Sequence, residues 1–128
     1  MIQLYGQQIL KKYDDGQDVI LIGHSLGGVI AEGIALSLQK SKVQGILSVS
    51  APLKFSWLWG YPFILKDIPH FSCSGHWDFI APPWFAYRNP KHHMMLNGGH
   101  VLDFIRKPRL SRYVVARFKR FLNHTVKK

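Results

Sequence analysis

Residues 19–28 read Val-Ile-Leu-Ile-Gly-His-Ser-Leu-Gly-Gly, and no other stretch restricts the fold so tightly. Val19 to Ile22 form an apolar run with the β-branched character of a buried strand. It meets Gly23-His24-Ser25-Leu26-Gly27 directly, and Gly28 to Leu36 continue at once as an apolar, helix-forming segment. A strand that stops abruptly, a strained reversal and an immediate helix describe a nucleophile elbow, with Ser25 at its tip and its hydroxyl raised above the sheet. Glycines two positions either side of the serine let strand and helix pass closely. The plain alternative is a βα turn in which Ser25 only caps the helix.

A nucleophilic serine needs a base, and the base needs an orienting carboxylate. Residues 68–74, Ile-Pro-His-Phe-Ser-Cys-Ser, read as a short strand, and the following Gly75-His76-Trp77-Asp78 puts Asp78 in a loop past its end. Met94-Met95-Leu96 and then Asn97-Gly98-Gly99-His100 put His100 in a turn beyond another short apolar run. Ser25, Asp78 and His100 therefore all follow strands. They can gather at one edge of a parallel sheet, where open α/β sheets bind ligands. Asp103 competes for the carboxylate role, and Asp78 is preferred because it follows a strand.

The elbow Gly-His-Ser-Leu-Gly-Gly is joined by Ser50-Ala51-Pro52 at the end of the next strand, by Gly75-x-x-Asp78 and by Gly99-His100. On these pieces the chain resembles the C-terminal half of an α/β-hydrolase fold protein, of the lipase and esterase-like branch that includes PGAP1-type serine hydrolases. The resemblance implies Ser25 as nucleophile, His100 as general base and acid, and Asp78 as the carboxylate that orients His100. It also implies the Leu26 N–H as one oxyanion donor, and its chain order sets His76 aside. His24, Trp57 and Trp59 are candidates for contact with substrate, with packing as the alternative for His24. The implied reaction is cleavage of carboxylic esters, lipid acyl esters among them, through an acyl-enzyme and with no cofactor or metal. The alternative is an inactive or split hydrolase fragment serving as a basic membrane-surface or partner-binding module.

The complete family fold puts about four strands before the elbow strand. Only residues 1–18 precede it here, read as a helix over 2–13 and a polar turn. The expectation is one α/β domain over residues 1–128, a truncated α/β-hydrolase fold. Its mostly parallel sheet has about four strands flanked by helices. Strands are predicted at 18–23, 43–49, 68–73 and 92–96, and helices at 26–40 and 109–123. A missing second oxyanion donor would lower turnover about a hundred- to a thousand-fold. An N-terminal half or an oligomer partner could supply what the chain lacks. Within residues 50–66, Phe55-Ser56-Trp57-Leu58-Trp59-Gly60-Tyr61-Pro62-Phe63-Ile64-Leu65 reads equally as an apolar lid or cap and as core beneath a loop. His92 and His93, adjacent on a strand, point to opposite faces and read as surface residues.

The chain's 128 residues, 47% of them hydrophobic, suffice for one core. No apolar run is long enough to span a membrane. The first residues lack the basic and apolar regions of a signal peptide. One cysteine, Cys73, fits a reducing compartment, so a cytoplasmic location, or one peripheral to membranes, is expected. The net charge is +10, and residues 106–128 carry nine cations and no acid. The last helix combines a basic face with an apolar stripe of Leu110, Val114, Phe118, Phe121 and Leu122. That reads either as a solvated face over a docked stripe or as attraction to an anionic membrane surface. No motif supports nucleic-acid binding.

Overall fold

The computed structural model describes residues 15–38, 40, 42–54, 68–87, 89–96 and 108–126. The helix expected at 2–13 and the aromatic segment 55–65 lie outside them. The elements run β1 (Val19–His24), α1 (Leu26–Ser37), β2 (Val43–Val49), β3 (His70–Gly75), β4 (His93–Leu96) and α2 (Pro108–Val126). Single 3-10 turns at Pro83–Phe85 and Pro90–His92 interrupt the β3–β4 connection. All strand pairs are parallel, in the spatial order β1-β2-β3-β4. This is the expected α/β architecture, a four-stranded sheet with helices on its faces.

The boundaries that moved have local causes. β3 begins two residues later than expected because Pro69 has no N–H to give the ladder. Its carbonyl still accepts from the Ile46 amide at 2.8 Å. His92 closes the Pro90 turn, whose amide at Lys91 donates to the Asn89 side chain at 3.0 Å, so β4 starts only at His93. α2 starts on Pro108, a residue suited to a first helical position. It runs on to Val126, with the Thr125 hydroxyl donating to the carbonyls of Phe121 and Leu122 in the last turn.

Register sorts the strand residues onto two faces. Gly23, Ser48, Ser72 and His93 are aligned across the sheet, and so are Val49, Cys73 and Met94. Alternation then gives Leu47, Val49, Phe71, Cys73 and Met94 to one face. There they close a core with Val114 and Phe118 of α2. The Phe71 ring packs against Phe121 with centroids 5.4 Å apart. Each fully buried side chain of this kind stabilises by about 1.5–3 kcal/mol. Gly45 permits the close approach, because a Cβ there would strike Leu122.

The opposite face meets α1 through Ala31, Ala35, Val43 and Ile46, with Val19 and Leu21 against them. Val43 and Ile46 reach the same face because the register shifts between Val19 and Ile20. α2 covers β2 and β3, while Ile20 and Ile22, on the α2 side of β1, stay 47% and 63% exposed.

Candidate active site

The elbow forms as its residues demand. Ser25 has φ 54° and ψ −126°, a left-handed backbone on a non-glycine residue. Such a conformation costs on the order of 1–3 kcal/mol and persists only where the surroundings enforce it. Two backbone bonds do so: the Ser25 amide donates to the Val49 carbonyl at 2.8 Å, and the Ser25 carbonyl accepts from the Gly28 amide at 3.0 Å. The Ser25 side chain makes no capping hydrogen bond to the helix. A serine present only as a cap would use its oxygen that way, so the plain alternative lacks its characteristic contact.

The glycines divide their work differently from the expectation. A Cβ on Gly23 would strike the Gly27 carbonyl, and one on Gly28 would strike the Ala51 methyl. One on Gly27 would meet nothing within 4 Å. The close approach therefore falls at Gly23 and Gly28.

The strand ends interlock at the C-terminal edge. The Ser25 amide bonds to the end of β2, the Ser50 amide to Cys73 at 2.8 Å, and the His76 amide to Leu96 at 2.9 Å. Ser50 repeats the strained geometry, with φ 49°. This interlocking puts the elbow and the Asp78 loop on one edge. The ends of β1 and β3 are about 10 Å apart, two strand spacings.

Asp78 is 2% exposed. Its Oδ1 accepts from the amides of Ile80 at 3.0 Å and Ala81 at 2.8 Å, and its own amide lies 3.3 Å from the Gly75 carbonyl. These bonds hold the carboxylate in one orientation. Leu26 opens α1, so its amide belongs to the first-turn donors that have no intrahelical acceptor. His24 is exposed, on the sheet face opposite α1. His100, Asp103, Trp57 and Trp59 lie outside the described residues.

The surface assignment of His93 is overturned. Its ring sits between Ser72 Oγ, 2.6 Å from Nδ1, and Ser74 Oγ, 2.8 Å from Nε2. The Tyr87 ring covers it at 5.4 Å between centroids. Burial pulls its pKa down to about 4, which keeps the imidazole neutral at pH 7. His92 is half-buried too, with its ring 4.8 Å from that of Phe121. The alternating serines of His70-Phe71-Ser72-Cys73-Ser74 were the available signal, a polar stripe awaiting a partner strand.

A second polar group was equally unforeseen. His70 Nε2 shares a hydrogen bond with Ser48 Oγ at 2.9 Å, and His70 Nδ1 lies 3.7 Å from Glu32 Oε2. The order of atoms imitates a catalytic triad. Ser48 is 1% exposed and Glu32 2%, so no substrate reaches this serine, and the group acts as a strut from α1 to the sheet. Among the described residues no group of His, Cys, Asp and Glu forms a metal site, and no helix is long and apolar enough to cross a membrane.

Residues 1–66 match the model of the PGAP1-like alpha/beta domain family. No curated protein matches the chain. Solved structures share its fold at low identity. An alpha/beta hydrolase enzyme from the metagenome of lagoon sediments at Mar Chica, Morocco, has a TM-score of 0.66 at 15% identity, covering 93% of this chain and 70% of its own. A monoacylglycerol lipase from Paleococcus ferrophilus has a TM-score of 0.56 at 15% identity, covering 96% and 74%. A sugar hydrolase from Lactococcus lactis has a TM-score of 0.56 at 19% identity, covering 98% and 67%.

Proposed function

Because the chain belongs to the PGAP1-like alpha/beta domain family, we propose that it is a serine hydrolase that cleaves carboxylic esters, lipid-like acyl esters first among them. One observation carries this reading: Ser25 holds a left-handed backbone at the junction of β1 and α1 without giving its side chain to the helix. A nucleophile elbow needs such a backbone at its serine. The buried, oriented Asp78 at the same sheet edge and the fold shared with a monoacylglycerol lipase support it further.

In the proposed reaction Ser25 Oγ attacks the ester carbonyl while His100 takes its proton. The Leu26 N–H and a second donor hold the oxyanion. The C–O bond to the alcohol breaks, His100 returns the proton to the leaving oxygen, and an acyl-serine remains. Water, deprotonated by His100, then releases the acid. Asp78 accepts from the imidazole throughout and holds its tautomer. His24, Trp57 and Trp59 are the proposed substrate contacts.

Labelling with a fluorophosphonate probe tests the nucleophile. The wild-type chain is expected to label and Ser25→Ala to remain blank; a folded wild-type chain that takes no label would refute the proposal. On a soluble short-chain ester, Asp78→Asn is expected to lower kcat by up to about 10⁴-fold. If Asp103→Asn lost far more than Asp78→Asn, the carboxylate would be misassigned.

A further inference from the structure

The β3–β4 connection is pinned inward at some positions and turned outward at others. Ala81 and Ala86 are buried at 1% and 0%, and Asp78 Oδ1 holds the amides of Ile80 and Ala81. Anchored in this way, the loop holds Trp77, Phe79, Ile80 and Trp84 outward, at 65%, 85%, 74% and 60% exposure. Phe79, Ile80 and Trp77 are the most exposed large apolar side chains among the described residues. The exposure comes from loop geometry that is tied down beneath it.

The chemistry of the loop points to one kind of occupant. From Trp77 to Tyr87 the only charged residue is Asp78, which is buried. A cation stands beside the end of this segment: Lys54, whose Nζ lies 4.2 Å from the centroid of the Tyr87 ring. The whole chain carries +10. A protein partner of this area is expected to meet hydrogen-bonding groups around an apolar centre. Here the centre is tryptophan, phenylalanine and isoleucine without an exposed charge, on a strongly cationic chain, which matches the acyl–headgroup boundary of an anionic bilayer.

We propose that the loop from Trp77 to Trp84 is a lipid-interface anchor. Its apolar side chains enter the boundary layer of an anionic membrane while Lys54 meets lipid phosphates. The loop leaves β3 at the edge where Ser25 stands, so the bilayer would lie beside the elbow. Delivery of a lipid ester to Ser25 rests on the serine-hydrolase reading; the lipid contact does not.

The test is sedimentation of the full chain with phosphatidylcholine vesicles that contain phosphatidylserine. Phe79→Ser with Ile80→Ser is compared with wild type and with Arg112→Glu with Lys119→Glu on α2. Phe79 and Ile80 are exposed enough for the double variant to fold, and circular dichroism checks this. The expected result is vesicle binding by wild type, weakened at least about tenfold in the loop variant, with fluorophosphonate labelling of Ser25 unchanged. Undiminished binding in the loop variant would overturn the proposal, as would loss only in the α2 charge variant. A wild-type chain that stays in the supernatant would also overturn it and would leave a protein as the occupant of the patch. Binding without Ser25 labelling would sink the hydrolase reading and leave the anchor standing.

Discussion

The two faces of the β2–β3–β4 sheet are built from opposite chemistry at interleaved positions. Beneath α2 lie Leu47, Val49, Phe71, Cys73 and Met94, a continuous apolar layer. One residue along in each strand, on the α1 side, lie Ser48, Ser72, Ser74 and His93; Ser48 shares a hydrogen bond with His70, and Ser72 and Ser74 with His93. Burial acts on both, with opposite sign on the two titratable groups. It pushes the Cys73 thiol up to about 12 and pulls His93 down to about 4, each toward its neutral form. A parallel sheet covered on both sides is thus not obliged to be apolar on both. One face can be closed by dispersion and water exclusion, the other by matched donors and acceptors.

The comparison can be broken by substitution. Phe118→Ala, which opens the α2 layer, is expected to cost about 3–5 kcal/mol in urea unfolding. A loss below about 1 kcal/mol would show that this layer is not the principal core. Ser72→Ala removes one partner of a half-buried imidazole and is expected to cost about 1–3 kcal/mol. If it equalled Phe118→Ala, the polar face would be as decisive as the apolar one. The smallest effect is a pH dependence. In the unfolded chain His93 titrates near 6.5 and in the folded chain near 4. Between those values the unfolded chain binds a proton that the folded chain does not, so stability falls as pH drops from 6.5 toward 4. Equilibrium unfolding across that range should show the decline in wild type and a flatter profile in His93→Gln. Identical profiles would mean that His93 stays solvated.

The same comparison explains what could be read in advance. The α2 layer was legible, because Val114, Phe118, Phe121 and Leu122 recur at helical spacing and all turn inward. The elbow was legible because a serine between glycines, after an apolar run and before a helix, has few conformations open to it. Asp78 was legible as a residue past a strand end. The polar face was not. His70, Ser72 and Ser74 alternate with Phe71 and Cys73, and a period of two normally marks a strand with one wet face. Nothing local says that His93, about twenty residues later, will be paired with Ser72 and fill that face. Glu32 was hidden for the same reason, since its companion His70 lies on another element.

Local chemistry in the chain determined the parallel α/β class, the strained seat of Ser25 and the apolar stripe of α2. These depend on neighbours within a few residues, through steric limits on φ and ψ and through side-chain periodicity. Tertiary structure alone decided which glycine bears the close approach, which polar residues are buried and which apolar ones are left outside. Gly28 matters because Ala51 is above it, His93 is neutral because burial between Ser72 and Ser74 desolvates it, and Phe79 is exposed because Asp78 holds the loop from beneath. The first two are contacts between segments far apart in the chain, which the parallel sheet brings together; the third is a local turn, and burial of Ala81 and Ala86 beneath it fixes which way it faces.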